Sequence, residues 1–410
     1  MVSDETDFRS VNGNLDLRFN QSIDWFLNST YYTVDAQLNF LFVNEANQIE
    51  TNELPWLEGR RFKFSQGNYR LGDKVILYYA NEIYFNFSAG EQNTLECEYN
   101  FINDIIQAYS IPRKDILLIG NIYEHDNSFS KLASMLQCNL LLIDYYELQT
   151  FFFHSVLGCN HNKSFNKHAT KDLKYLFGKV DKPIRIIMMH ELWLKGLLNN
   201  SVTGCLIDKS DIKKLATDTV KEYLVWYKKN INIQSVEKML NTHYGSPDNV
   251  PYFYFTLSEK RKQKLERSVD VINHCPSYPY NFEKLFTDVK MSIIPETFYY
   301  QNQAIFLTEK TYKVIYNHHP FTILGNQGIL KTLRARGYQT FNTICDELYD
   351  ECRNDRKRLD LVINATEQLI ASTNYLELKR ITDYNFNQLE KNAHTTISHL
   401  NSAIQTLISA

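Results

Sequence analysis

The chain has 410 residues, 44% hydrophobic and 14% aromatic, with a formal net charge of −3. That apolar content offsets chain entropy and excludes a mainly disordered protein, while the near-neutral charge excludes a global basic field for nucleic acid or anionic lipid. One core rarely organises more than roughly 250–300 residues, so two domains are expected.

In chain order, "KVILYY" (74–79) and "EIYFNF" (82–87) read as strands and "EYNFINDIIQAYS" as a helix, followed by the continuous apolar runs "ILLIGN" (116–121) and "LLLIDYYE" (140–147). Such runs suit strands buried on both faces, as parallel sheets require. The polar, aperiodic stretch "CNHNKSFNKHATK" (159–171) then marks a domain boundary, giving a first α/β domain over 1–170. Beyond it, "KYLFG" (174–178) reads as a strand, "KVDKPIR" as a basic turn and "IRIIMMHELWLKGLL" (184–198), apolar almost all round, as a helix clamped between layers. Residues 210–250 are helical and amphipathic, and "YFYFTL" (252–257) and "KMSIIPE" (290–296) are further strands.

The stretch "FLTEKTYKVIYNHHPFTILGNQG" (306–328) predicts a short helix whose Tyr312, Ile315 and Tyr316 share one face, then a stop at Pro320, a buried strand "FTIL" and a glycine-marked loop. "GILKTLRARG" is a helix ended by Gly337. After "YQTF" the chain is expected to be helical to its end, with Ile381, Tyr384, Ile397, Leu400, Ile404 and Leu407 recurring at helical spacing. The second α/β domain is placed at 171–360 and a helical tail, packing back across the domains, at 361–410.

A helix beginning at Thr308-Glu309-Lys310 presents free amides and a positive dipole end at the carboxyl edge of a strand, where doubly wound sheets bind ligands. A diphosphate suits that place, with Lys310 neutralising phosphate and Glu309 accepting from ribose hydroxyls. The plain alternative is a Thr308 cap, a dipole-complementing Glu309 and a solvated Lys310.

"SIIPETFYY" followed by "FLTEKTYKVIYNHHPFTILGN" resembles the donor-site motif of the fucosyltransferase family, in which an E-N pair precedes T-E-K, a proline, hydrophobics and a glycine. It is more similar still to a group of glycosyltransferase-like proteins of phages and large viruses, whose G-F-x-T-F and D-E-x-Y-D stretches here read "GYQTF" and "DELYD". The match covers roughly residues 174–360 and is densest over 291–350. The resemblance implies two facing Rossmann-like domains of the GT-B type, a nucleoside-diphosphate sugar as co-substrate and no cofactor. It places Glu296 in the nucleotide cleft, Glu309 on the ribose and Lys310 on a phosphate. Thr297 stands where asparagine is usual, which leaves base and sugar open. The turn cations Lys179, Lys182 and Arg185 match the group's basic turn, Arg185 being the best diphosphate grip because a guanidinium bonds two oxygens at once; solvated loop charge is the alternative.

Glu124, His125 and Asp126 share one loop after "ILLIG" and are candidates for the base that deprotonates an acceptor hydroxyl, with Glu82 a rival. His190 lies in "HELWL", where the spacing of a zinc helix fails; no D-x-D and no P-loop occur, and no metal is expected. Cysteines 97, 138, 159, 205, 275, 345 and 352 are never spaced as C-x-x-C, so neither a disulfide framework nor a zinc knuckle is indicated and a cytoplasmic setting is expected. No run reaches the roughly 18 apolar residues of a membrane span.

These readings converge on a metal-independent glycosyltransferase. Its acceptor is either a glycan or hydroxymethylated bases in double-stranded phage DNA, for which "GRRFKF" with Arg70, "KRKQK" and "RNDRKR" (353–358) offer local positive charge. The rival class is a non-catalytic module that binds nucleotide sugars or nucleic acid.

Overall fold

The computed structural model describes residues 38–43, 49–50, 62–64, 74–78, 95–108, 110–122, 128–144, 146–148, 150–151, 165–179, 183–206, 211–244, 286, 288–296, 299–300 and 305–409. The chain divides into two compact units. One holds Met1–Val156, Ser268–His274 and Asn392–Ala410; the other holds Leu157–Arg267 and Cys275–Lys391.

In the first unit a sheet runs in the order β2-β1-β4-β5-β6, with β3 added to β1. Its strands are β1 (Leu38–Val43), β2 (Ile49–Glu50), β3 (Phe62–Phe64), β4 (Lys74–Tyr78), β5 (Ile116–Asn121) and β6 (Asn139–Ile143). β4, β5 and β6 are parallel, as their apolar runs predict. β1 pairs antiparallel with β4, so the sheet is mixed beyond the parallel part. Alternate residues Val75, Leu77, Ile116 and Leu118 pack with helices α1 (Leu95–Ala108) and α2 (Ser128–Leu136), while Ile76, Leu117 and Ile119 are buried on the other face. Gly120 lets α2 approach closely: a Cβ there would meet the Phe129 ring at 2.5 Å. The expected strand at 140–147 ends at Ile143, and Tyr146–Leu148 turns helical instead.

The second unit contains a four-stranded, wholly parallel sheet in the order β10-β9-β7-β8. β7 is Lys171–Lys179, β8 Ser201–Leu206, β9 Val289–Pro295 and β10 Phe321–Leu324. β8 was not expected from the sequence. Helix α3 (Pro183–Leu194) follows β7 and is buried continuously from Ile184 to His190, in keeping with its apolar circumference. α4 (Ile212–Tyr227) and α5 (Ile233–Tyr244) pack with α3. β9 leads through α6 (Glu309–Tyr316) to β10, which is followed by α7 (Ile329–Ala335). α8 (Asp355–Ala371) lies on β9 and β10, and α9 (Tyr375–Ser409) ends the chain. The chain was expected to be helical to its end after "YQTF"; instead turns and a single 3-10 turn at Leu348–Asp350 come first, and residues 372–374 separate α8 from α9.

The two motifs flanking α7 hold one another. Gly337 takes φ +88°, and Thr340 Oγ1 and Phe341 N donate to Glu347 at 2.6 and 2.7 Å. Arg334 reaches both Glu347 (2.9 Å) and Asp350 (3.1 Å), and Asp350 accepts from Leu330 N and Lys331 N at 2.7 and 2.8 Å. The D-E-x-Y-D stretch is thus the cap and brace of α7, an architectural role.

Arg358 is 1% exposed and links the loops at the carboxyl edge of this sheet. Its guanidinium donates to Gly325 O (3.1 Å), Cys352 O (2.9 Å), Asp355 Oδ1 (2.6 Å) and Tyr299 O, and lies over the Tyr299 ring at 4.4 Å. Arg358→Leu leaves these acceptors buried and unpaired, so an unfolding cost of roughly 3–5 kcal/mol is expected in urea denaturation, against less than about 0.5 for exposed Arg353→Leu.

Candidate functional site

The strand order fixes where a ligand site belongs. β7 passes through α3 to β8 on one side, whereas β9 passes through α6 to β10 on the other. Connections that leave in opposite directions open a crevice at the carboxyl ends of β7 and β9, the topological switch point of a doubly wound sheet. Two parts of the expected donor site flank it: Arg185, in the first turn of α3, and the segment from Glu296 to Lys310.

Glu296 directly follows β9 and is buried. Its carboxylate accepts from Thr308 N (3.1 Å), Thr308 Oγ1 (2.6 Å) and Thr311 Oγ1 (2.5 Å). Burial raises its pKa, opposed by the Lys310 charge and by these hydrogen bonds. The carboxylate thereby brings the chain from 308 back to the end of β9 and fixes the start of α6.

Thr308 caps that helix: its Oγ1 accepts from Lys310 N at 3.3 Å and from Lys310 Nζ at 3.2 Å. The free helix-start amides expected from the sequence are therefore partly committed, Thr308 N to Glu296 and Lys310 N to Thr308. Anion-binding capacity here falls chiefly on the Lys310 ammonium. Lys310 Nζ lies 3.3 Å from Glu309 Oε1, with side chains only 12% and 19% exposed, so neither is an ordinary solvated charge. Burial pushes the Glu309 pKa up, but Lys310 and then Lys313 outweigh it and hold the carboxyl at about 2. Lys313 was missed by sequence reasoning, although its place four residues after Glu309 is the spacing of a helical ion pair.

Arg185 is buried within α3, so the loop-charge alternative does not hold for it. Lys179 closes β7. Lys182, Thr297 and the candidate bases Glu82, Glu124, His125 and Asp126 lie outside the described residues, as do "YFYFTL" and "KRKQK". In sequence, Glu124 and Asp126 fall between β5 and α2.

His190, His318 and His319 serve packing. His190 Nδ1 is 3.0 Å from Tyr223 Oη and its Nε2 2.9 Å from Ser235 Oγ. Tyr223 donates to Glu191 at 3.0 Å, so His190 Nδ1 carries the proton and Nε2 accepts from Ser235, which satisfies a neutral imidazole. His319 bonds Ser292 Oγ and Val289 O at 2.9 and 2.7 Å, and His318 pairs with Asp383 at 2.8 Å. Among the described residues no three His, Cys, Asp or Glu gather as a metal site, and no helix is long and apolar enough to cross a membrane.

The chain matches no protein-family model and no curated protein.

Two measurements check this geometry. Glu296→Ala strands two buried hydroxyls and an amide, so a loss of about 3 kcal/mol in chemical denaturation is expected, with Glu296→Gln milder because one acceptor oxygen remains. Glu309, whose carboxyl sits near 2 in the fold against the usual 4.5, contributes stability that is full above pH 4.5 and lost as pH falls toward 2. The stability gap between wild type and Glu309→Gln should therefore be largest near neutrality and close over that acid window.

Proposed function

We propose that this chain is a metal-independent glycosyltransferase of the two-domain GT-B type, similar to the fucosyltransferase-like proteins of phages and large viruses. It moves a sugar from a nucleoside diphosphate to an acceptor hydroxyl. The observation that carries the reading is the buried assembly of Glu296, Thr308, Glu309 and Lys310 beside the β7–β9 switch point, in the segment where the sequence resemblance is densest.

In this reading the donor diphosphate enters the crevice and takes over Lys310 from Glu309. Glu309 is then released to accept from ribose hydroxyls, and Arg185 supplies the second cation. Glu296 positions Thr308 and the helix start and contacts no substrate. The bond from the anomeric carbon to the diphosphate oxygen breaks with its electron pair leaving on the diphosphate, which Lys310 and Arg185 stabilise. The acceptor oxygen bonds to the anomeric carbon and passes its proton to a base, for which Glu124, Asp126 and Glu82 are the candidates. The first acceptor class is the hydroxymethylated base of DNA, and a glycan is the second.

One observation favours the rival, a non-catalytic nucleotide-sugar binding module. The Glu309–Lys310 pair is already closed at 3.3 Å, and opening it opposes ligand entry. A thermal-shift screen of nucleotides and nucleotide sugars separates the readings. A true donor at a hundred times its Kd adds about 2.7 kcal/mol of stability. Lys310→Ala is expected to weaken that donor tenfold or more, with turnover falling alongside. Binding without transfer or donor hydrolysis supports the module, and a screen with no stabilising nucleotide removes both.

A further inference from the structure

A second feature at the carboxyl edge of the same unit is not used by the donor site. The end of α4 (Trp226, Tyr227, Lys228) and the segment entering α8 (Arg353 to Arg356) line an open cleft of about 550 Å³, inside the roughly 300–1,000 Å³ range of small-ligand sites. Three cations line it: Lys228, Arg353 and Arg356. The lone carboxylate on its wall, Asp355, is committed to Arg358 at 2.6 Å, so the cleft is strongly electropositive.

The cleft also has a flat floor. Trp226 stacks on Tyr300 with ring centroids 4.7 Å apart and planes 23° from parallel, yet it remains 50% exposed. The stack covers one side of the indole, and half of the residue's surface remains accessible. The platform is anchored: the Tyr300 hydroxyl donates to Glu222, and Asn326 Nδ2 donates to Tyr300 O at 3.1 Å. Arg356 is held at the rim by its bond to Tyr227 O, also at 3.1 Å. Lys228 takes φ +49° and closes α4 through its amide to Tyr223 O, leaving its ammonium at the helix end.

We propose that this cleft binds single-stranded nucleic acid, with a base stacked on Trp226 and the adjoining phosphates on Lys228, Arg353 and Arg356. The pairing of an aromatic platform with surrounding cations is the chemistry of such strands, and guanidinium forks match phosphate oxygens. A neutral glycan is a poorer fit because hydroxyl recognition uses uncommitted carboxylates, and the cleft wall has none. An acidic peptide uses the cations but leaves the indole face unused. As a binding site the cleft stands without the glycosyltransferase reading.

The test uses the full chain and a short fluorescein-labelled oligothymidylate, followed by anisotropy. With two or three phosphates neutralised, affinity is expected to fall roughly 7- to 18-fold between about 50 and 200 mM salt. Trp226→Ala is expected to weaken binding about tenfold, Trp226→Phe to keep most of it by preserving the stack, and Arg353→Ala to flatten the salt dependence. Urea denaturation of each variant confirms folding. The proposal is overturned if the oligonucleotide does not bind, if Trp226→Ala binds as tightly as wild type, or if a sulfated polysaccharide binds with the same dependence on Trp226. A donor that stabilises the protein while the oligonucleotide fails to bind removes the cleft assignment and leaves the enzyme reading standing. Oligonucleotide binding through Trp226 with no stabilising donor does the reverse.

Discussion

A guanidinium sealed from water sets the form of the second unit's carboxyl edge. Charge is costly to bury, and Arg358 is tolerated because every direction of its fork meets an acceptor: three carbonyls from separate loops and the Asp355 carboxylate. Each of those carbonyls belongs to a loop that must bend where no sheet or helix can satisfy it. The arginine therefore decides where the chain goes after β9 and β10, and with it the place of Tyr299, Tyr300 and the start of α8. The cleft at the start of α8 inherits its shape from this choice.

Glu296 plays the matching part on the other flank. Hydrogen bonds to two hydroxyls and an amide replace the water it gives up, and they tie α6 to the strand it follows. A carboxylate so occupied is a poor ligand for substrate but a good foundation for the Glu309–Lys310 pair beside it. The division of labour is physical. The buried acid is saturated by neighbours, while Glu309 and Lys310 beside it pair with one another at 3.3 Å and keep some exposure to solvent.

Much of this was legible in the chain. Residues 116–120 and 321–324 are buried and, but for Thr322, apolar because both faces of a parallel sheet are covered. β8 was not legible, since Ser201, Thr203, Gly204 and Cys205 carry little of the apolar signal that identifies a buried strand. Arg358 was hidden in the opposite way. It sits in "RNDRKR", a run read as local positive charge facing DNA, and only the Asn354 cap and the Asp355–Arg358 spacing hint that one member turns inward. The D-E-x-Y-D stretch, which drew notice as a sequence motif, serves to cap α7. A motif can record architecture without touching chemistry.

The placement of α9 bears on how the polypeptide is made. Its last part belongs with the first 156 residues, where Asn392 bonds Glu147 at 2.8 Å, the Phe151 and His394 rings meet at 5.2 Å, and Ile397, Leu400 and Leu407 are buried. A ribosome releases the opening segment early but withholds the last part of α9 until the intervening second unit has been made, a delay on the order of 10–50 s at ordinary elongation speed. The amino-terminal unit is thus closed after the second unit is made, and a chain lacking the last part of α9 would leave it with an open core.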